Sequence, residues 1–219
     1  MQAGPDGSPP PKDLSKLPPA PPATGRVRVA AAGCGTVGHE DEGAGARNNR
    51  QLQVRDTDAR IGTGKVEPAA MTLSALNPRT KIEAIGERIT SANVERHLEG
   101  VDVVIDGADN FPARYMLNDA CVKLGKPLVY GAVHRFEGQL SVFDGGRQRG
   151  VAPGYRCLFP EAPPSEAAPN CADAGVLGVL PGVIGLLQAT EAIQRIRALG
   201  DPLTARRLPV EALSMRCRA

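Results

Sequence analysis

Three short clusters carry residue types suited to phosphate and acyl chemistry. Gly33-Cys-Gly-Thr-Val-Gly38 spaces its glycines as G-x-G-x-x-G. Glycines at that spacing let backbone amides come close to a phosphate, and a helix starting there adds further N–H donors; a plain glycine turn is the alternative. Asp106-Gly-Ala-Asp109-Asn110 gathers two carboxylates and a side-chain amide within one turn's length. Asp109 can hold a metal that bridges to phosphate, while Asn110 can do the same or cap a helix. Lys65 follows Gly62-Thr-Gly64 at a helix start, where its ammonium can meet phosphates or simply stand in solvent.

The thiols and imidazoles separate by context. Cys171 lies in Pro169-Asn-Cys-Ala-Asp-Ala-Gly175, just ahead of an apolar segment. A helix N-terminus there favours the thiolate and makes a nucleophile. Cys34, Cys121 and Cys217 read as packing residues, and Cys157 has no C-x-x-C partner because position 154 is Gly. His39, His97 and His134 are scattered, which points away from a histidine-centred triad.

The elements that must position these groups alternate between strand and helix. Arg26 to Ala32 (RVRVAAA) suits a buried strand running into the Gly33 turn, and 101–106 (VDVVID) an apolar strand closed by an acid. The acidic cluster therefore stands at the carboxyl end of a central strand, where open α/β sheets bind ligands. Asn110 and Pro112 start a helix whose apolar face runs through Ala113, Leu117, Ala120, Cys121 and Leu124 to a stop at Gly125. Val66, Ala69, Ala70, Leu73 and Leu76 mark an earlier helix, residues 91–98 a short one, and 81–89, 128–133 and 138–143 further strands. A long helix is expected over 175–199, bent or interrupted at Pro181. The class is α/β with a Rossmann-like, mainly parallel sheet. Residues 38–64 read mostly as loop, and 1–24, with eight prolines, as a disordered tail. The organisation is a tail over 1–24, one domain over 25–200 and an extension over 201–219.

Composition narrows the function classes. The 219 residues carry a formal net charge of +2, with no Trp, three Tyr and four Phe. That gives neither the basic field nor the stacking platform of a direct nucleic-acid binder. Arginines 195, 197, 206, 207, 216 and 218 read as a solvated helix face and tail. Five cysteines at irregular spacing, with no secretion signal, imply reduced thiols and a cytoplasmic protein. The longest apolar run, Val176 to Leu187, is short of the roughly 20 residues a membrane span needs and is interrupted by Gly178, Pro181, Gly182 and Gly185.

Two stretches, DGADNFPARYMLNDACVKLGKPLVYGAVHRFEGQLSVF from Asp106 and YRCLFPEAPPSEAAPNCADAGVLGVLPGVIGLLQATEAI from Tyr155, make the chain resemble a known family. They are similar to the MoeB/ThiF-type sulfur-carrier adenylyltransferases, relatives of the ubiquitin-activating enzymes, and most of all to the eukaryotic molybdenum-cofactor-synthesis and tRNA-thiolation branch. The resemblance covers Lys65 to Ile193 and is fragmentary before that. It implies a homodimer that binds Mg-ATP and activates the C-terminal glycine of a ubiquitin-like sulfur-carrier protein as an acyl-adenylate, which sulfur transfer then converts to a thiocarboxylate. Carried over by position, Gly33, Gly35 and Gly38 match the phosphate loop, Asp41 the ribose-binding acid, Lys65 the phosphate lysine, Asp109 and Asn110 the Mg-ATP element, and Cys171 the sulfur-transfer cysteine.

The chain departs from that pattern at several points. Only residues 39–48 separate the glycine loop from Asn49, so a βα-unit is missing there. The catalytic arginine's position falls on Leu52, with Arg50 nearby. Of the four zinc cysteines of the family, Cys157 matches one, Gly154 replaces another, and the final pair is not reached. The chain thus reads as a shortened member. Besides adenylation, a non-catalytic relative that keeps a carrier- or partner-binding surface is a second reading, and a dinucleotide oxidoreductase, resting on the glycine loop alone, a third.

Overall fold

A computed structural model of the chain describes residues 27–32, 66–148, 150, 152–163 and 175–218. These residues form β1 (Val29–Ala32), α1 (Val66–Leu76), α2 (Val94–Leu98), β2 (Val103–Asp106), α3 (Phe111–Leu124), β3 (Leu128–His134), β4 (Glu137–Phe143), α4 (Tyr155–Leu158), α5 (Leu180–Arg197), β5 (Arg207–Glu211) and β6 (Arg216–Cys217). The strands make one six-stranded sheet in the order β1-β2-β3-β4-β5-β6. Pairing is parallel from β1 through β3 and antiparallel from β3 through β6. This is the Rossmann-like α/β class the sequence implies. The interval 39–48, where a βα-unit is expected to be missing, lies outside the described residues.

Both faces of the sheet are covered, which explains why β2 and β3 are continuous apolar runs. Val104, Leu128 and Tyr130 pack with α2 and α3 on one face. Val103, Val129, Leu140 and Val142 pack with Ala192 of α5 on the other. Successive strand residues point to opposite faces, so Leu128 and Val129 are neighbours in sequence yet belong to different cores.

Four expectations are corrected. Residues 81–89 form no strand; Arg28 meets Glu83 by an ion pair at 3.7 Å, but the described residues offer no ladder to this segment. A strand needs a partner's backbone, and alternation of Ile82, Ala84 and Gly86 alone does not supply one. The helix at 175–199 is not bent at Pro181, because α5 starts at Leu180 and Pro181 sits in its first turn, where the missing N–H has no partner to lose. Along α1 only Ala69 is buried, while Leu73 and Leu76 are 48% and 77% exposed, so the stripe that predicts the helix does not fill the core. The short helix placed over 91–98 begins at Val94, after a turn.

Candidate functional site

The candidate site forms where β1 and β2 stop. Ala32 is the register partner of Asp106, and Asp106 lies opposite Tyr130 of β3. β3 continues to His134, which leaves the loop after Asp106 on the carboxyl edge of the sheet, the usual ligand-binding edge of such folds.

Asp106 is fully buried on the α3 face of the sheet. Arg114, eight residues on and also buried, donates from Nε to Asp106 Oδ2 at 3.0 Å and from Nη2 to the Ala108 carbonyl at 2.6 Å. The Ala108 amide donates to Asp106 Oδ1 at 2.8 Å. The loop is therefore closed on itself by one carboxylate and one guanidinium. Burial pushes the Asp106 carboxyl up from its ordinary range, and Arg114 and the Ala108 amide pull against that. For Arg114 burial is the largest influence and lowers the value, but the adjacent Asp106 carboxylate together with Tyr130 and Tyr155 outweighs it and keeps the guanidinium charged.

The guanidinium also lies over the Tyr130 ring, 5.1 Å from its centroid. Tyr130 joins Tyr115, Phe143, Tyr155 and Phe159 in one aromatic cluster, with centroid separations of 4.8 to 5.7 Å. All three tyrosines of the chain are in it. Asn118 ties this cluster to α4 by accepting from the Tyr155 amide at 2.8 Å.

Of the two roles open to Asn110, the structure shows the cap. Its Oδ1 accepts from the Ala113 amide at 2.8 Å, and its backbone is extended, at φ −125° and ψ 150°. Its Nδ2 donates to Asp109 Oδ1 at 3.2 Å. Asp109 thus stands half-buried immediately before a 14-residue helix, beside that helix's N-terminal dipole. A carboxylate there is a hard oxygen ligand, suited to Mg2+ carried by a nucleotide. The other residues expected in the site, Gly33, Gly35, Gly38, Asp41, Arg50, Lys65 and Cys171, lie outside the described residues.

Two supporting residues are absent from the sequence reading. Arg114 lies on the same α3 face as Leu117, Asn118 and Cys121, and Gln188 shares the buried face of α5 with Ile184 and Ala192. A long polar side chain within an apolar helical stripe is the signal that marks both, since burial there requires partners. The cysteines also divide differently from expectation. Cys121 is buried as expected, but Cys217 is exposed on the terminal two-residue strand β6, where no second layer of described residues covers it.

The family's zinc does not fit the described residues, which contain no group of three or more His, Cys, Asp or Glu able to share a metal. Cys157 is exposed, and Gly154, buried, has backbone and neighbours in place of a thiolate: a Cβ there meets Asn118 Oδ1 at 3.3 Å. No described helix is long and apolar enough to cross a membrane.

Comparison with known proteins gives this geometry a context. The ThiF family pattern matches residues 27–219. The chain is 45% identical over 186 residues to a sulfur carrier protein adenylyltransferase of Thermus thermophilus, covering 84% of this chain and 69% of that protein. It is 44% identical over 190 residues to the adenylyltransferase and sulfurtransferase MOCS3 of Arabidopsis thaliana, covering 87% of this chain but 40% of that one. Among solved structures, E. coli MccB with ATP superposes with a TM-score of 0.73 at 16% identity, over 88% of this chain and 63% of MccB. That likeness establishes the fold.

Proposed function

The chain belongs to the ThiF family, and on that premise we propose that it transfers the adenylyl group of ATP to the C-terminal glycine of a ubiquitin-like sulfur-carrier protein. The observation that carries the reading is the Asp106–Asn110 loop, locked by Arg114 on the carboxyl edge so that Asp109 stands at the start of α3. The carrier's terminal carboxylate oxygen attacks the α-phosphorus; that O–P bond forms while the bond to pyrophosphate breaks. Such a displacement depends on positioning and charge neutralisation rather than on a proton-transfer dyad. Gly33, Gly35 and Gly38 supply backbone amides to the phosphates, Asp41 holds the ribose, and Lys65 and Arg50 neutralise negative charge. Asp109, its carboxylate steadied by Asn110 Nδ2, would hold the Mg2+ that accompanies the nucleotide, and the metal would withdraw charge from the phosphate oxygens. The acyl-adenylate is then open to the outer sulfur of a donor persulfide: the C–S bond forms as AMP leaves, and the Cys171 thiolate breaks the resulting acyl disulfide, forming a disulfide with the donor and releasing the carrier thiocarboxylate used in molybdopterin synthesis or tRNA wobble-uridine thiolation. A cytoplasmic homodimer is the expected form; the apolar residues Val183, Leu186 and Ile193 that α5 exposes support the dimer.

The competing reading, a relative that retains only carrier binding, is favoured by Leu52 at the arginine position and by the short 39–48 interval. Calorimetric titration with Mg-ATP and carrier-dependent ATP–pyrophosphate exchange separate the two. Adenylation requires measurable ATP binding and an exchange activity that Asp109→Ala lowers by roughly 100- to 1,000-fold. Carrier binding without heat on ATP addition and without exchange assigns the chain to the second reading.

A further inference from the structure

Gln188 is a buried polar residue of α5 that reaches into the sheet. It is 7% exposed, and its Nε2 donates to the Asp106 carbonyl at 2.7 Å and to the Val129 carbonyl at 3.1 Å. Space for it exists because residue 131 is glycine: a Cβ there would stand 2.5 Å from Gln188 Cδ and 2.6 Å from its Nε2. Val129 and Gly131 face α5, whereas the Asp106 side chain faces Arg114 across the sheet. Asp106 is therefore gripped at both ends, its carboxylate by α3 and its carbonyl by α5. The carbonyl is the last of β2, and the chain beyond it carries Asp109.

Apolar packing does not account for this arrangement. Ile184 and Ala192, one turn before and after, fill the same face with hydrocarbon, and an aliphatic residue at 188 would fill the volume equally well. What the amide adds is two directed hydrogen bonds to carbonyls of neighbouring strands, at the point where the loop leaves the sheet. Burying it without those partners would be unfavourable, so the bonds and the glycine form a matched set.

We propose that Gln188 is a positioning residue for the adenylation step, setting the height of the Asp106–Asn110 loop above the sheet and hence the reach of Asp109 to the nucleotide. The inference rests on the adenylation reading, and its consequence is kinetic. A misplacement of about 1 Å in a catalytic group can cost on the order of 100-fold in rate. Losing the Gln188 amide should therefore lower kcat while leaving KM for the carrier unchanged.

The test uses the full chain, Gln188→Met, which keeps length and volume, and Gln188→Glu, which keeps shape but turns the donor into an acceptor. Pyrophosphate exchange is measured for each variant and for Asp109→Ala alone and combined with Gln188→Met, with hydrogen exchange at the Ala108 amide as a second readout. The expected result is a 10- to 100-fold fall in kcat for both Gln188 variants at unchanged carrier KM, as the misplacement argument implies. The double variant should be no slower than Asp109→Ala, because both changes act through one group. Faster Ala108 exchange should accompany the loss. Wild-type kcat and Ala108 protection in Gln188→Met, or a fully additive double variant, overturns the proposal. If the wild-type chain gives no pyrophosphate exchange, the adenylation reading fails instead, and Ala108 protection alone decides whether Gln188 sets the loop. Should Gln188→Met fail to fold, Gln188→Glu carries the same comparison.

Discussion

Cys121 faces the core from α3, and burial, helped by the nearby Asp106 charge, pushes its thiol up to about 12. At pH 8 a thiol with that value is thiolate in only about one molecule in 10,000, and only the thiolate attacks an electrophile. Limited alkylation read by peptide mass spectrometry should modify Cys157 and Cys217 in the native protein and reach Cys121 only after unfolding. Cys171, if it is the sulfur-transfer nucleophile, should label ahead of all three and keep reacting below pH 7, where a thiol of ordinary value falls off about tenfold per pH unit. At the same scale, Asp119 accepts from Arg156 at 2.8 and 2.7 Å, and this pairing holds its carboxyl below the ordinary value. The folded value lies below the unfolded one, so the pairing stabilises the protein above the ordinary carboxylate range and is lost as pH falls through the lowered value. Asp119→Asn should lower Tm slightly at pH 7, and the difference from wild type should close as the pH falls through the lowered Asp119 value. A gap that persists at low pH would locate the effect in packing.

The helix α3 is the element on which the site depends, and its two ends fail differently. At its start, Asn110→Ala removes the cap and should cost about 1 kcal/mol in urea unfolding. Asp109→Ala, one residue earlier, keeps the cap bond but loses the contact from Asn110 Nδ2 and a charge beside the helix dipole, so it should cost less stability than Asn110→Ala while strongly weakening nucleotide affinity. This pair separates support from ligand contact. Near its last turn, α3 packs against the loop after β4 so closely that a Cβ on Gly146 would lie 2.5 Å from the Val122 carbonyl oxygen and 2.9 Å from its Cα. Backbone cannot rotate away as a side-chain tip can. Gly146→Ala should therefore cost about 3 kcal/mol, the upper end of overpacking effects, and equilibrium unfolding measures it.

Across the whole molecule, α5 is tied to the sheet by polar anchors as well as by hydrocarbon. Arg195 pairs with the buried Asp144 just beyond β4, Glu191 accepts from the Leu203 amide at 2.9 Å, and Gln188 reaches the end of β2. Arg195→Met leaves the buried Asp144 carboxylate with only the Gln148 amide as a side-chain partner and should cost about 3–5 kcal/mol. Replacing both partners, as Arg195→Met with Asp144→Leu, should recover part of that loss, because an apolar pair leaves no charge to desolvate. Thermal unfolding of the single and double variants gives the comparison.

Local chemistry decided much of this architecture. The apolar runs at 103–106 and 128–133, the Asn110 cap followed by Pro112, and the Gly125 stop, at φ 62°, depend on residues within a few positions of one another, so they are legible in the sequence. The ThiF resemblance was legible from the two stretches that begin at Asp106 and Tyr155. Long-range chemistry was not. Pro181 could have kinked a helix or opened one, and the pairing of Val176 and Leu177 with Arg135, just past β3, selects the second by holding the preceding chain extended. The isolated segment 81–89 has strand-like residues but no described neighbour to pair with, and pairing is a tertiary property. Gln188 and Asp106 are 82 residues apart, and Tyr115 donates to a carbonyl 44 residues away. Such bonds leave no periodicity to read. Sequence identifies the groups that can do chemistry, whereas the stacking of α3 and α5 on opposite faces of one sheet decides which of them hold Asp109 in place.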